Sequence, residues 1–268
     1  MRSTPWSEAS TKLTERYDRE ALPYRDLWAP ILRNAGLGLV RELADDAARR
    51  VLDIGAGVGA LLPDLREAFP GASVLGVDRS HGMLALAPPL AARAVMDATQ
   101  LALASASVDR VFLVFMLFHL ESPAAGLSEA RRVLRDGGRI GTLTWAGDMD
   151  SPAIRIWADC LDAHGAAPLD PATAARHDPV DNPDKVTALL REAGLRSARA
   201  WTDDLVFTLD AEKLIRLRTS LGSVKTRYES LSPAARESCV AEARRLMEAL
   251  APADFEARVK VVYAVASG

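Results

Sequence analysis

The chain has 268 residues, 49% of them hydrophobic and 26% charged, with a formal net charge of -3 and a pI near 5.9. This balance suits one large domain, or one domain with an appended cap, and excludes a disordered tail, a coiled coil and a collagen-like repeat. It also lacks the basic excess of a nucleic-acid-binding surface, so no nucleic-acid partner is expected. The longest apolar run, Val111 to Phe118, is eight residues, against the ~20 that a membrane span needs. The first dozen residues carry no apolar stretch of the kind a secretory signal requires. Two cysteines, Cys160 and Cys239, cannot build a disulfide framework, so a reducing cytoplasm is the expected compartment.

In chain order, residues 1 to 48 show helical periodicity, broken by Pro23 and Pro30, with large aromatics at Tyr17, Tyr24 and Trp28. Apolar strand-like runs then alternate with amphipathic stretches, the pattern of a parallel sheet wrapped by helices. Strands are predicted at Arg50 to Ile54, Ser73 to Val77, Ala92 to Val95, Asp109 to Leu117 and Arg139 to Trp145. The fourth is continuously hydrophobic, which marks it as central. Intervening helices are predicted at Ala60 to Phe69, Gly82 to Ala87 and Ala124 to Arg135, the last closed by Asp136-Gly137-Gly138 as a C-cap. Beyond Gly147 a helix near Ile154 to Ala163 is followed by a loop at 166–184 and a helix at Lys185 to Ala193. A strand at Ala198 to Leu209, helices at Ala211 to Ser220 and Pro233 to Leu250, and a closing strand at Ala257 to Ala266 complete the reading.

The segment VLDIGAGVG (51–59) carries the most chemistry. A buried strand runs into glycines and then a helix, which lets a ligand approach bare backbone and meet unpaired N–H groups. Gly55-x-Gly57-x-x-Ala60 also fits the dinucleotide fingerprint, so a nicotinamide-dependent oxidoreductase is one reading. Asp53 counts against it: a carboxylate there repels a pyrophosphate and attracts a cation such as an amino group or a sulfonium. Asp78 ends the second strand, where a carboxylate can accept both hydroxyls of a ribose. Asp97 follows the third, placed for an adenine amino group. Three acids at the carboxyl ends of successive strands mark the crevice where open α/β sheets bind ligands.

With these pieces in this order, the chain resembles the class I S-adenosylmethionine-dependent methyltransferases of the small-molecule type. The matching stretches are VLDIGAGVG (51–59), LGVDRS (75–80), MDAT (96–99), VDRVFLVFMLFHL (108–120) and EARRVLRDGGRIGTLTW (129–145). The resemblance implies an α/β, Rossmann-like, doubly wound sheet of seven strands with the last antiparallel, plus a helical lid. It places the lid at 1–48 and the core at 49–268, with a helical cap inserted at about 210–250 between the last two strands. The implied cofactor is S-adenosyl-L-methionine, with S-adenosyl-L-homocysteine as product and no metal. Backbone at Gly55, Ala56 and Gly57 would face its methionine part, Asp78 its ribose, and Asp97 with Ala98 its adenine. Arg79, Met83, Met96 and Phe115 neighbour those positions, core packing being the alternative for the two methionines. Tyr17 resembles a lid tyrosine over the cofactor carboxylate.

Methyl transfer to oxygen needs a general base, and His119, at the end of the fourth strand, is the best-placed histidine, with a structural imidazole as the alternative. Leu113 and Val114 stand where many relatives carry a polar residue, and neither an Asn-Pro-Pro-Tyr motif nor a spaced acid set for a metal is found. Cys160 and His164, four apart on one helix, are read as packing. Tyr24, Trp28, Phe118 and Trp145 are the candidate walls of an apolar acceptor pocket. The expected function is therefore methylation, most simply O-methylation, of a small or medium apolar organic acceptor in secondary or quinone metabolism. The alternative is a protein of this fold that keeps the cofactor but catalyses a non-methylating reaction such as cyclisation. A homodimer is left open.

Overall fold

The computed structural model describes residues 7–268; the first six residues of the expected lid, and of the stretch read for a secretory signal, lie outside the described residues. Ser7 opens helix α1 (Glu8–Pro23) by accepting a hydrogen bond from Ser10 N. Pro23 and Pro30 do not break this region as expected. The chain passes through a π-helical turn (Tyr24–Trp28) directly into α2 (Ala29–Leu43), and Pro30 falls in the first turn of α2, where no donor is lost.

The sheet is built from β1 (Arg50–Ile54), β2 (Ser73–Asp78), β3 (Ala92–Val95), β4 (Val108–Val114), β5 (Leu134–Trp145), β6 (Arg196–Thr208) and β7 (Glu256–Ser267), in spatial order β3-β2-β1-β4-β5-β7-β6. The neighbours β3-β2-β1-β4-β5 are parallel. The closing strand runs the other way: Gly268 N donates to Gly138 O at 2.9 Å and Ala146 N to Lys260 O at 2.8 Å. The seven-stranded Rossmann-like order with its antiparallel last strand is thus the expected one. Helices α3 (Leu62–Ala68), α4 (His81–Ala85) and α5 (Pro123–Val133) connect the first five strands. Later come α6 (Pro152–Ala163), α7 (Pro171–Ala175), α8 (Pro183–Glu192), α9 (Ala211–Ser220), α10 (Gly222–Glu229) and α11 (Pro233–Met247).

Four helices start by the same device. Ser122-Pro123, Ser151-Pro152, Asn182-Pro183 and Ser232-Pro233 each put a side-chain oxygen on the backbone N–H three residues on, with proline in the first turn. Three of these helices accordingly begin one or two residues before the positions expected from periodicity. The loop expected at 166–184 holds α7 and a 3-10 turn (Asp178–Val180), and α10 was not anticipated.

Two strand ends differ from expectation in ways that matter for the site. The apolar run after Val111 does not stay extended to Leu117: β4 ends at Val114, Phe115 has a φ of 52°, and Leu117–His119 form a 3-10 turn. Asp136-Gly137-Gly138 is not a helix C-cap. Helix α5 ends at Val133 and β5 starts at once, with Arg135–Gly138 bulged between the pairings Val108 to Leu134 and Arg110 to Arg139.

By its contacts the chain divides into two units, with boundaries inside β5, β6 and β7. The first comprises the chain up to Thr144 with Pro179–Thr202 and Val262–Gly268. Its core is the sheet itself: Leu52, Val111, Phe112, Leu113, Ile140 and Leu143 have no exposed surface. Side chains of this size contribute roughly 1.5–3 kcal/mol each when fully buried. The second unit, Trp145–Asp178 with Asp203–Val261, has a separate core. There α6, α9 and α11 bury Trp157, Cys160, Leu161, Leu214, Ile215, Cys239, Ala243 and Met247. Both cysteines are free thiols, and His164 meets Cys160 through its Nδ1, 2.8 Å from the Cys160 carbonyl. Among the described residues no group of three His, Cys, Asp or Glu is placed to hold a metal, and no helix is long and apolar enough to cross a membrane.

Candidate active site

The carboxyl ends of β1, β2, β3 and β4 meet α1 within the first unit and enclose about 730 Å³ of space, part of it open to solvent. The glycine turn after β1 forms one wall. Gly55 has a φ of 77°, and a Cβ there would lie 2.7 Å from the Met116 Cβ, so only glycine lets the turn pass under the strand-four segment. Gly55 N and Ala56 N both donate to Val77 O, at 2.8 and 3.0 Å, which ties the turn to the end of β2.

The three acids take up distinct states. Asp53, paired in register with Gly76 and Phe112, is 3% exposed. Burial first, and the charge of Asp78 second, push its carboxyl up to about 7. Asp78 is also pushed up by burial, against hydrogen bonds that favour its charged form. Gly57 N donates to one of its oxygens and Ser80 N to the other, each at 2.8 Å. Arg79 N–H adds a third backbone hydrogen bond, so the turns beside it hold the carboxylate in place at the end of β2. Asp97 accepts from Thr99 N at 2.7 Å and Thr99 Oγ1 at 2.6 Å, both on Oδ1.

Helix α1 covers this floor through polar contacts absent from the sequence reading. Asp18 Oδ1 accepts from Ser80 Oγ at 2.6 Å and from Gly82 N at 2.8 Å, and Arg79 donates to Ser10 Oγ at 2.8 Å. The Tyr17 hydroxyl lies 2.8 Å from His119 Nε2, with the rings edge to face at 5.4 Å. Burial pushes the Tyr17 phenol up to about 12, so it stays neutral at physiological pH; Tyr24, 5.9 Å from it, is also raised by burial. When the phenol donates, it occupies the Nε2 lone pair with which His119 would take a proton.

Of the residues named from sequence, Tyr17, Tyr24, Gly55, Gly57, Asp78, Arg79, Met83, Met96, Asp97, Ala98, Phe115 and His119 line this one space. Asp53 and Ala56 line an adjoining cavity on the far side of the glycine turn, shared with Tyr24, Gly55 and Gly57. Three are placed elsewhere. Phe118 is buried behind His119, the rings 4.3 Å apart. Trp28 is half-buried on the π turn, and Trp145 ends β5 in the second unit; neither lines the cavity. Leu13, Thr14, Ser80, Met116 and Leu120 line it without having been named. The Ser80 N-cap was the readable signal among them, since it precedes a helix whose Met83 N it receives at 3.0 Å.

A glycine turn that a Cβ would obstruct, a buried acid beneath it and a second acid at the end of the adjacent strand fit a nucleoside that carries a cationic tail. Together with the sheet order, they define the class of S-adenosylmethionine-binding α/β proteins. The sequence profile of the methyltransferase domain family matches residues 52–141. The chain is 34% identical over 188 residues to the demethylmenaquinone methyltransferase of Beutenbergia cavernae, covering 65% of this chain and 77% of that protein. It is 35% identical over 137 residues to the malonyl-[acyl-carrier protein] O-methyltransferase of Hahella chejuensis, a match that spans 48% of each. In three dimensions it is similar to the YcgJ protein of Bacillus subtilis, with a TM-score of 0.56 at 17% identity over 87% of this chain and 98% of that one. The chain belongs to the class I S-adenosylmethionine-dependent methyltransferases, and S-adenosylmethionine is its cofactor.

Proposed function

We propose that the protein methylates a nucleophilic oxygen of a small or medium, largely apolar organic acceptor, in quinone or secondary metabolism. The observation that carries this is His119, held by Tyr17 at 2.8 Å in a cavity whose lining beside it includes the apolar Leu13, Phe115, Met116 and Leu120. The bound cofactor supplies an electrophilic methyl group on a sulfonium. Everything else falls to the chain. Gly55 to Gly57 present backbone to the methionine portion, and Asp78 and Asp97 fix the ribose and adenine. Asp53 offers a negative charge to the cationic tail, and the aromatic and aliphatic wall excludes water. His119 Nε2 takes the acceptor's proton once the Tyr17 phenol yields its place, because the one lone pair cannot serve both. The printed names of the relatives, an O-methyltransferase of a malonyl-carrier protein and a demethylmenaquinone methyltransferase, support acceptors of this kind. Two free, buried cysteines support a reducing cytoplasm as the place of action.

The test is production of S-adenosylhomocysteine by the purified protein with a malonyl thioester, a naphthoquinol and simple phenols as acceptors. Turnover with an oxygen acceptor is expected. Micromolar cofactor binding with no turnover across the panel would overturn the reading in favour of a non-methylating reaction.

A further inference from the structure

The second unit contains a cation with no counter-charge among the described residues. On α9, Leu214 and Ile215 are buried in the unit's core, and Arg218 follows them by four and three residues, on the same face. Arg216, between them in sequence, points out and is exposed. Arg218 is largely buried, with its Nε out of solvent and without an acceptor among the described residues. Its polar contact is Nη2 to the Met149 thioether at 3.5 Å, a weak acceptor. Burial, with no acid opposing it, pulls the guanidinium down to about 10.

Other arginines of this unit are handled differently. Arg244 meets Glu212 at 2.5 Å, Arg258 meets Asp204 at 3.0 Å, and Arg227 and Arg155 pair with Asp162 and Asp150. The core that Arg218 borders holds a second buried donor without an acceptor among the described residues, Trp157 Nε1. Buried donors without acceptors are costly, and a buried charge without a counter-charge more so. An oxyanion is acceptor-only and matches the planar fork of a guanidinium.

We propose that Arg218 anchors an oxyanion-binding site in the second unit, which takes the carboxylate or phosphate group of a small organic molecule. Arg218 is largely but not completely buried, which leaves part of the side chain within reach of such a group. The site stands on this unit alone and does not depend on the methyl-transfer reading.

The full-length protein, without cofactor, is melted in rising millimolar malonate or inorganic phosphate, with sodium chloride at matched ionic strength as control. Wild type is expected to gain a rise that grows with the logarithm of ligand concentration and reaches about 2–4 °C at several times the dissociation constant. Malonate alone acting assigns a carboxylate, and phosphate alone a phosphate. Arg218→Met is expected to melt at or above wild type without ligand, because an unpaired buried charge has been removed, and to lose the rise. Arg218→Lys, which keeps the charge and loses the fork, should retain part of it. No rise in wild type, an equal rise in Arg218→Met, or an equal effect of chloride would overturn the proposal. Should Arg218→Met fail to fold, the same comparison is made between wild type and Arg218→Lys by calorimetric titration, and equal affinities would sink it.

Discussion

In the first unit Asp78 is buried, yet each of its oxygens receives a backbone N–H from the turns beside it, Gly57 N and Ser80 N. In the second, Arg218 reaches inward to a thioether. The first arrangement is only partly local: Ser80 N lies two residues from Asp78, whereas Gly57 N comes from the turn after the adjacent strand, 21 residues away. The second depends on which face of a helix is packed, and Arg216 and Arg218 differ in that alone. A site built from turns at the ends of adjacent strands carries motifs that can be read early. A group whose burial is decided by packing shows its chemistry only once the fold is known.

The largest expected effect sharpens this contrast with glycine. Gly55→Ala should destabilise the protein by about 3 kcal/mol or more, since it combines a left-handed backbone with an overlap against Met116. Gly165, in the second unit, also has a positive φ, at 78°, but a Cβ there meets nothing within 4 Å. Gly165→Ala should cost only about 1–2 kcal/mol, the backbone strain by itself. Urea denaturation of the two variants checks the difference, and equal losses would mean that the turn at Gly55 is not closely packed.

Next in size, His119→Ala should lower turnover by ~10²-fold or more if the imidazole takes the acceptor's proton. Cofactor affinity serves as the control for folding. Turnover unchanged at unchanged affinity would leave His119 as the structural partner of Tyr17. Asp78→Ala should then weaken cofactor binding by about 1.5–3 kcal/mol. Leaving Gly57 N and Ser80 N without their acceptor costs stability in the free and bound protein alike. Calorimetric titration reads the loss of affinity, and equal affinity would place the ribose elsewhere.

The sheet order and the acids at its strand ends were legible because alternating apolar runs and glycine turns are local signals. Asp53, Asp78 and Asp97 all fell at the ends of strands, as the motif spacing implied. Hydrophobicity misled at Val111 to Phe118. The run is buried almost throughout, but burial says nothing about conformation, and the chain turns at Phe115 while staying inside. Asp136-Gly137-Gly138 misled in the opposite way, since a left-handed glycine suits a strand bulge as well as a helix end. The latch of Asp18 onto Ser80 and Gly82 had no sequence signal, because it joins positions more than sixty residues apart.

The smallest effect on cofactor binding is read through pH. Asp53 sits near 7 when folded, against about 3.9 for an aspartate in an unfolded chain. Between these values the folded state holds the proton and the unfolded state does not. Stability therefore falls as pH rises from about 4 to about 7 and is level above that. Asp78, raised in the same direction, adds to the trend, so the informative quantity is the difference between wild type and Asp53→Asn. Binding runs the other way. A cationic tail over Asp53 favours the carboxylate, so the cofactor must expel a proton to bind at low pH. Affinity should be roughly tenfold weaker at pH 6 than at pH 8 if the bound group stays ionised throughout. Titrations in two buffers of different ionisation enthalpy would count the released proton, which Asp53→Asn should abolish. If wild type and the variant instead show the same pH dependence, the charge that meets the cofactor's tail is not Asp53.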